Sequence, residues 1–203
     1  MMQILLDCIP CMLKQALEAS RLATNNVKIQ EEIIKESLEI LSDYKSYRTS
    51  PELARAIHLF QKKLTKAKTI LIIGDNTGET IFDKVLIENI PEIEVTYALR
   101  SEPIINDATM EDAVASGLDK VADLISSGCN APGLILEECS AEFLAVYNNA
   151  EIIISKGQGN YEALSEEKNI FFLLKAKCPM IAGRLNVKLN EYILKYSEGE
   201  KND

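Results

Sequence analysis

The stretch Thr69-Ile70-Leu71-Ile72-Ile73-Gly74-Asp75-Asn76-Thr77-Gly78-Glu79 decides how this chain folds. Its first five residues are a short, β-branched apolar run, the pattern of a buried strand. The glycine-bounded polar turn comes next. Ile81, Phe82, Val85, Leu86 and Ile90 then recur at helical spacing until Pro91. Strand, polar turn, helix puts a ligand at the strand's carboxyl end and the helix's amino end. The turn carries a carboxylate and an amide oxygen side by side, with Glu79 just after. Such hard oxygen donors suit a divalent cation together with a phosphate. An Asp-Asn turn also serves as a plain helix cap. What separates the two readings is the rest of the chain.

Downstream the rhythm repeats. Apolar runs at 69–73, 93–99, 120–125, 151–154 and 170–174 alternate with helical patterns at 79–90, 109–116, 133–148 (with a break at Ser140) and 161–167. The 120–125 run also suits a helix. A final helix is expected over 186–196. This alternation predicts a parallel sheet with helices on its faces. Upstream, residues 10–23 and 28–42 read as helices. Ser50-Pro51-Glu52 is a helix start, a capping serine with proline at the first helical position. The expected organisation is a helical part over 1–66, an α/β domain over 67–197 and a disordered tail over 198–203.

Each expected strand runs into a polar, glycine-rich or basic loop. Asp75 to Gly78 follows the first, Arg100 to Asp107 the second and Gly128 to Gly133 the third; Ser155 to Asn160 follows the fourth and Lys175 to Cys178 the fifth. In a parallel sheet all five share one edge, where α/β proteins bind ligands. Asp75 and Asp107 repel each other in a cleft unless a cation or a proton intervenes. With the Asn76 amide oxygen and waters they suit Mg²⁺ or Mn²⁺, and less selectively Co²⁺ or Ni²⁺. Asp107 also precedes Thr109-Met110-Glu111-Asp112, so a capping role is the competing reading. Arg100, Lys156, Lys175 and Lys177 would balance an anionic substrate, unless they are ordinary surface cations. Lys156 stands out because Gly157 and Gly159 let backbone approach an anion.

The chain has 203 residues, 47% apolar and 26% charged, enough for one sizeable core. A formal charge of −9 speaks against nucleic-acid and anionic-membrane partners. The first residues, Met1 to Asp7, lack a basic region and a long apolar run, so neither a signal peptide nor a membrane span is expected, and a cytoplasmic location follows. One histidine, His58, excludes multi-histidine metal sites. Five cysteines, an odd number, argue against a disulfide framework. Cys8-Ile9-Pro10-Cys11 is open to two readings, a redox dithiol or half of a second metal site such as zinc.

Four motifs in this order resemble the metal-dependent damage-control phosphatases, formerly domain of unknown function 89. They are Cys8-Ile9-Pro10-Cys11, Gly74-Asp75-Asn76-Thr77-Gly78-Glu79, Pro103-Ile104-Ile105-Asn106-Asp107-Ala108-Thr109 and Ser155-Lys156-Gly157-Gln158-Gly159-Asn160. The amino-terminal cysteine pair points to the microbial stand-alone branch. The resemblance implies an α/β fold with a Rossmann-like parallel-sheet three-layer domain and a small N-terminal all-helical part. It implies a divalent metal ion (Mn, Mg, Co or Ni) held by Asp75, Asn76 and Asp107, and hydrolysis of phosphomonoesters such as sugar phosphates and damaged phosphometabolites. By motif position Glu79, Lys156, Gly157, Asn160 and Lys175 would contact the substrate, and Arg100 joins them by charge. Asp75 and Asp107 are the expected catalytic residues, with the nucleophile open between water and Asp75. One departure stands out. Ser50-Pro51-Glu52-Leu53 leads almost directly into the Asp-Asn strand, where family members carry a longer helical region. An open pocket, altered specificity, weak activity, or a homo-oligomer whose second subunit supplies the cover would each accommodate it. The rival functions are a non-catalytic phosphometabolite binder and a Cys-x-x-Cys redox or zinc module.

Overall fold

The computed structural model describes residues 16–17, 20–21, 23–42, 51–90 and 92–198. Cys8 and Cys11 lie outside the described residues, as does most of the 10–23 helix. Helix α1 spans Val27–Ser42 and α2 spans Pro51–Leu64. The α/β rhythm then follows as the sequence predicts. Strand β1 is Thr69–Ile73, α3 Thr80–Glu88, β2 Glu94–Leu99, α4 Met110–Ser116 and β3 Asp123–Ser126. After these come α5 Ala141–Asn149, β4 Ile152–Lys156, α6 Gln158–Leu164, β5 Ile170–Lys175, α7 Pro179–Leu185 and β6 Tyr192–Tyr196.

The strands form one six-stranded sheet in the order β3-β2-β1-β4-β5-β6. β1 to β5 are parallel, and β6 runs antiparallel to β5. β1 sits at the centre because Ile70 to Ile73 are buried in succession, as a strand covered on both faces requires. Alternate residues feed two cores. Leu71, Ile73, Ile153 and Phe172 pack with Phe143, Tyr161 and Ile181 of α5, α6 and α7. Ile70, Ile72, Ile154 and Phe171 pack with Phe60, Ile87 and Ala113 of α2, α3 and α4. Three layers result. Within the second core Phe60 meets Phe171 edge to face at 5.1 Å.

The helix boundaries follow local chemistry. Thr109 and Asp112 form a capping box at the start of α4, and Gly117 at φ 78° ends it. The expected break at Ser140 is present: its side chain accepts from Phe143 N and caps α5. The 118–125 region resolves into one 3₁₀ turn and then β3.

The expected helix over 186–196 is a correction. Helix α7 ends at Leu185 with Asn186 left-handed at φ 54°, and Tyr192 to Tyr196 add an edge strand to β5. Tyr-Ile-Leu-Lys-Tyr is rich in strand formers, and pairing Leu194 with Leu173 gives its apolar residues cover.

The strand order reverses between β1 and β4, which leave in opposite directions to β2 and β5. Beyond the carboxyl ends of β1 and β4 lies the crevice where open α/β sheets bind ligands. Gly74 to Glu79 and Gly157 to Asn160 stand there.

Candidate functional site

Two loops are sewn together first. Asn76 and Asp107 form an isolated antiparallel bridge. Thr77 N donates to Asn106 O at 2.9 Å, and Ala108 N donates to Asp75 O at 2.7 Å. The Asn106 amide also donates to Asn76 Oδ1. Asp75, Asn76 and Asp107, distant in sequence, are therefore held as one unit.

Asp107 is 9% exposed, and its Oδ2 accepts from Arg100 Nε at 2.7 Å. A second guanidinium nitrogen of Arg100 donates to Asn160 Oδ1 at 2.7 Å and to Pro132 O at 3.2 Å. Asn160 is fully buried. Its amide nitrogen donates to Gly74 O and Lys156 O, and its oxygen also accepts from Leu134 N. With four partners, Asn160 clamps the loops after β1, β2, β3 and β4. Arg100 likewise faces Asp107 and this clamp.

Asp75 is 8% exposed, and its carboxylate accepts from the Asn76 amide at 2.7 Å. Burial, then the charges of Glu79 and Asp107, push its pKa up to about 6, although Lys177 and Arg100 pull the other way. Gly157 carries φ 84°, and a Cβ on it would sit inside the Asp75 carboxyl group. Its amide donates to Leu173 O. Glycine is thus required at 157 for the close approach of Asp75, a different reason from the backbone–anion approach expected from the sequence.

Lys156 closes the other side. It is 6% exposed, and its ammonium lies 2.6 Å from Asp83 Oδ1 and 2.6 Å from Glu79 Oε2. Asp83 Oδ2 accepts from the Tyr97 hydroxyl at 2.7 Å. Both partners of Asp83 are donors, as a carboxylate requires, although burial outweighs their pull and pushes its pKa above the usual carboxylate value. Burial alone would lower the pKa of Lys156, but Asp83 and Glu79 outweigh it and hold the ammonium above its ordinary range. Burial would raise Glu79, but Lys156 and the Asn76 amide hold it below the usual carboxylate range.

The last loop contributes Lys177, which is exposed and acts electrostatically on both Asp75 and Glu79. Its backbone N donates to Gln158 Oε1 at 2.8 Å. Lys175 is placed differently, with its ammonium over the Tyr192 ring at 5.4 Å. His58 is exposed on α2. It lines a cavity of about 750 Å³ between α2 and β6 that includes Tyr192 but not Asp75, Asp107, Lys156 or Lys177.

Residues 53–193 match the family described as the damage-control phosphatase ARMT1-like domain. The chain belongs to this family. A damage-control phosphatase of Pyrococcus horikoshii is 50% identical over 131 residues, 62% of this chain and 46% of its own. One of Archaeoglobus fulgidus is 38% identical over 142 residues, 68% of this chain and 49% of its own. The chain spans about half the length of the curated relatives it matches. A crystal structure of a DUF89 family protein from Pyrococcus horikoshii is similar with a TM-score of 0.67 and 27% identity, covering 95% of this chain and 98% of that one.

Sequence reasoning missed Asp83 and Tyr97, and it counted Lys177 among the edge cations without placing it at the site. Asp83 follows Glu79 by four residues, so the two share a helix face. Tyr97 is a hydroxyl inside an apolar strand. Those were the available signals.

A divalent metal fits the donors present. Among the described residues no group of three or more acidic, Cys or His side chains gathers as a ready-made metal cluster. The set is smaller: two carboxylates and an amide. Asp107 is paired with Arg100, and Glu79 and Asp83 share Lys156. Asp75 has an amide as its hydrogen-bond partner and no ion pair among the described residues. A buried carboxylate with no bonded cation is the group a metal would complete. Among the described residues, no helix is long and apolar enough to cross a membrane.

Proposed function

We propose that this chain is a divalent-metal-dependent phosphatase that hydrolyses small phosphomonoesters, sugar phosphates or damaged phosphometabolites, in the cytoplasm. The observation that carries this reading is Asp75. It is buried at the switch point of the sheet with its pKa pushed up to about 6 and no ion pair among the described residues. Its neighbours Asp107 and Asn76 supply further oxygen donors. Family membership and two relatives named damage-control phosphatases support the reading.

Asp75 and Asp107 would hold the metal, with Asn76 contributing once its amide turns its oxygen inward. In the structure the Asn76 amide nitrogen donates to Asp75 and Glu79 and its oxygen accepts from Asn106, so that turn would exchange these three bonds as the metal binds. The bound cation, Mn, Mg, Co or Ni, would polarise the phosphoryl group and offset its charge. The remaining work belongs to side chains. Lys156 has three N–H donors and spends two on Asp83 and Glu79. The third is left for a phosphoryl oxygen, and Lys177 brings a second positive charge from the loop after β5. Phosphoryl transfer is catalysed mainly by positioning and charge stabilisation, so no histidine is required. Arg100 and Asn160 act by fixing Asp107 and the loops, and Gly157 by admitting Asp75.

The test is hydrolysis of a chromogenic phosphate ester by metal-stripped protein, with Mg²⁺, Mn²⁺, Co²⁺ or Ni²⁺ added back singly. Turnover restored by metal and lowered by about a thousandfold in Asp75→Ala and Asp107→Ala is expected. No turnover with any metal in folded protein would leave a phosphate binder in its place.

A further inference from the structure

The expected motifs account for Lys156 but not for what holds it. Lys156 ends β4, and its ammonium sits on a flexible four-carbon stem at a crevice. Two carboxylates reach it from different depths. The Glu79 side chain is 40% exposed, whereas that of Asp83 is 5% exposed and belongs to the buried face of α3. A carboxylate at such a position is costly unless fully partnered. Here it is: Lys156 takes one oxygen and the Tyr97 hydroxyl the other. Tyr97 is itself fixed. Its ring fills the space beside Gly74, where a Cβ would come within 2.7 Å of Tyr97 Cε1. A rigid line therefore runs from the β2 strand through Tyr97 and Asp83 to Lys156, beneath the Gly74–Asp75 turn.

We propose that Asp83, anchored by the Tyr97 hydroxyl, is a positioning residue that fixes the Lys156 ammonium at the crevice between β1 and β4 with one N–H donor left for a phosphoryl oxygen. The proposal rests on the phosphatase reading and adds the residues that aim its lysine. Glu79, at the rim, is free to exchange its contact with Lys156 when an anion arrives, while Asp83 is not. A merely structural ion pair would show its loss in stability alone. A positioning pair shows it through Lys156.

The experiment is a double-variant cycle in the full chain, with Asp83→Asn, Tyr97→Phe and Lys156→Ala singly and each of the first two combined with the third. Each is read by kcat/KM with the metal-loaded protein, by affinity for inorganic phosphate, and by unfolding midpoint. Asp83→Asn is expected to lower kcat/KM by about 10- to 100-fold, the scale of an angstrom-sized misplacement. Tyr97→Phe, which removes one hydroxyl, is expected to cost about three- to tenfold. In the Lys156→Ala background each should cost less than about twofold, because the group they aim is gone. Equal losses with and without Lys156 would overturn the proposal, as would a folded Asp83→Asn with native kcat/KM. If Asp83→Asn does not fold, Tyr97→Phe runs the same cycle. If the native protein shows no turnover, phosphate affinity decides. A loss in Asp83→Asn that vanishes in the Lys156→Ala background keeps the positioning role and discards the phosphatase. Phosphate affinity unchanged by Asp83→Asn, or absent altogether, overturns both.

Discussion

Asp75 and Asp107 sit in adjoining loops, bridged by backbone and almost equally buried at 8% and 9% exposed. Their surroundings differ in one respect. Asp107 has a guanidinium at 2.7 Å, itself tied to Asn160 and Pro132. Asp75 has the Asn76 amide and the bare face of Gly157. One carboxylate is neutralised by the fold, and the other is left with its charge. On the proposed reading, the difference leaves Asp75 as the place a cation would take. The protein accepts the cost of a buried charge at one position and spends its cations at the others. The same division recurs at Lys156, which is bonded to Asp83 and Glu79 rather than to Asp75.

The comparison can be broken from the Asp107 side. Arg100→Ala leaves Asp107 unpaired and strips a donor from Asn160, so unfolding free energy should fall by about 3–5 kcal/mol, measured by denaturant melts. A loss under 1 kcal/mol would mean that Arg100 does not neutralise Asp107. From the Asp75 side, Gly157→Ala places a methyl where the carboxylate lies. It should lower kcat/KM by about a hundredfold, seen in steady-state kinetics at saturating metal. Asp75→Asn removes the reserved charge and sharpens the contrast. A carboxylate raised from 3.8 to about 6 in the fold destabilises it when ionised. The penalty is absent below pH 3.8, grows through the interval and is complete above pH 6. Metal-free Asp75→Asn should therefore be more stable than the native chain at pH 7 by up to about 3 kcal/mol, with the gain shrinking toward pH 4. Ser155→Ala is the control. Ser155 Oγ is buried without a hydrogen-bond partner among the described residues, and by strand alternation it shares the face of Ile153, toward the core. Its removal should stabilise by no more than about 1 kcal/mol with kcat/KM unchanged, separating an unpartnered hydroxyl in the core from the carboxylate without an ion pair in the cleft.

Much of this arrangement was legible because it is local. Thr69 to Glu79 carry strand, turn and helix in eleven consecutive residues, and the residues of each loop identify its polarity. That Asp75, Asn76 and Asp107 meet follows once the strands are parallel. What could not be read depends on which elements touch. Asp83 looks like one solvent-facing acid in an amphipathic helix, and only the packing of α3 under β4 turns it toward Lys156. Lys175 ends an apolar strand and was expected at the cleft, yet the pleat sends it over Tyr192, and Lys177 acts on Asp75 instead. Tyr192 to Tyr196 follow a helix and suit a helical spacing as well as an alternating one. Their fate was set by the open edge of β5, which no local pattern reveals.

The most direct test of the reserved charge is the carboxyl titration of Asp75 by carbon-detected NMR, without metal and then with Mg²⁺. A midpoint of about 6 is expected in the metal-free protein, with a fall of at least about one unit when Mg²⁺ is added. A midpoint near the ordinary 3.8 that Mg²⁺ does not move would contradict it.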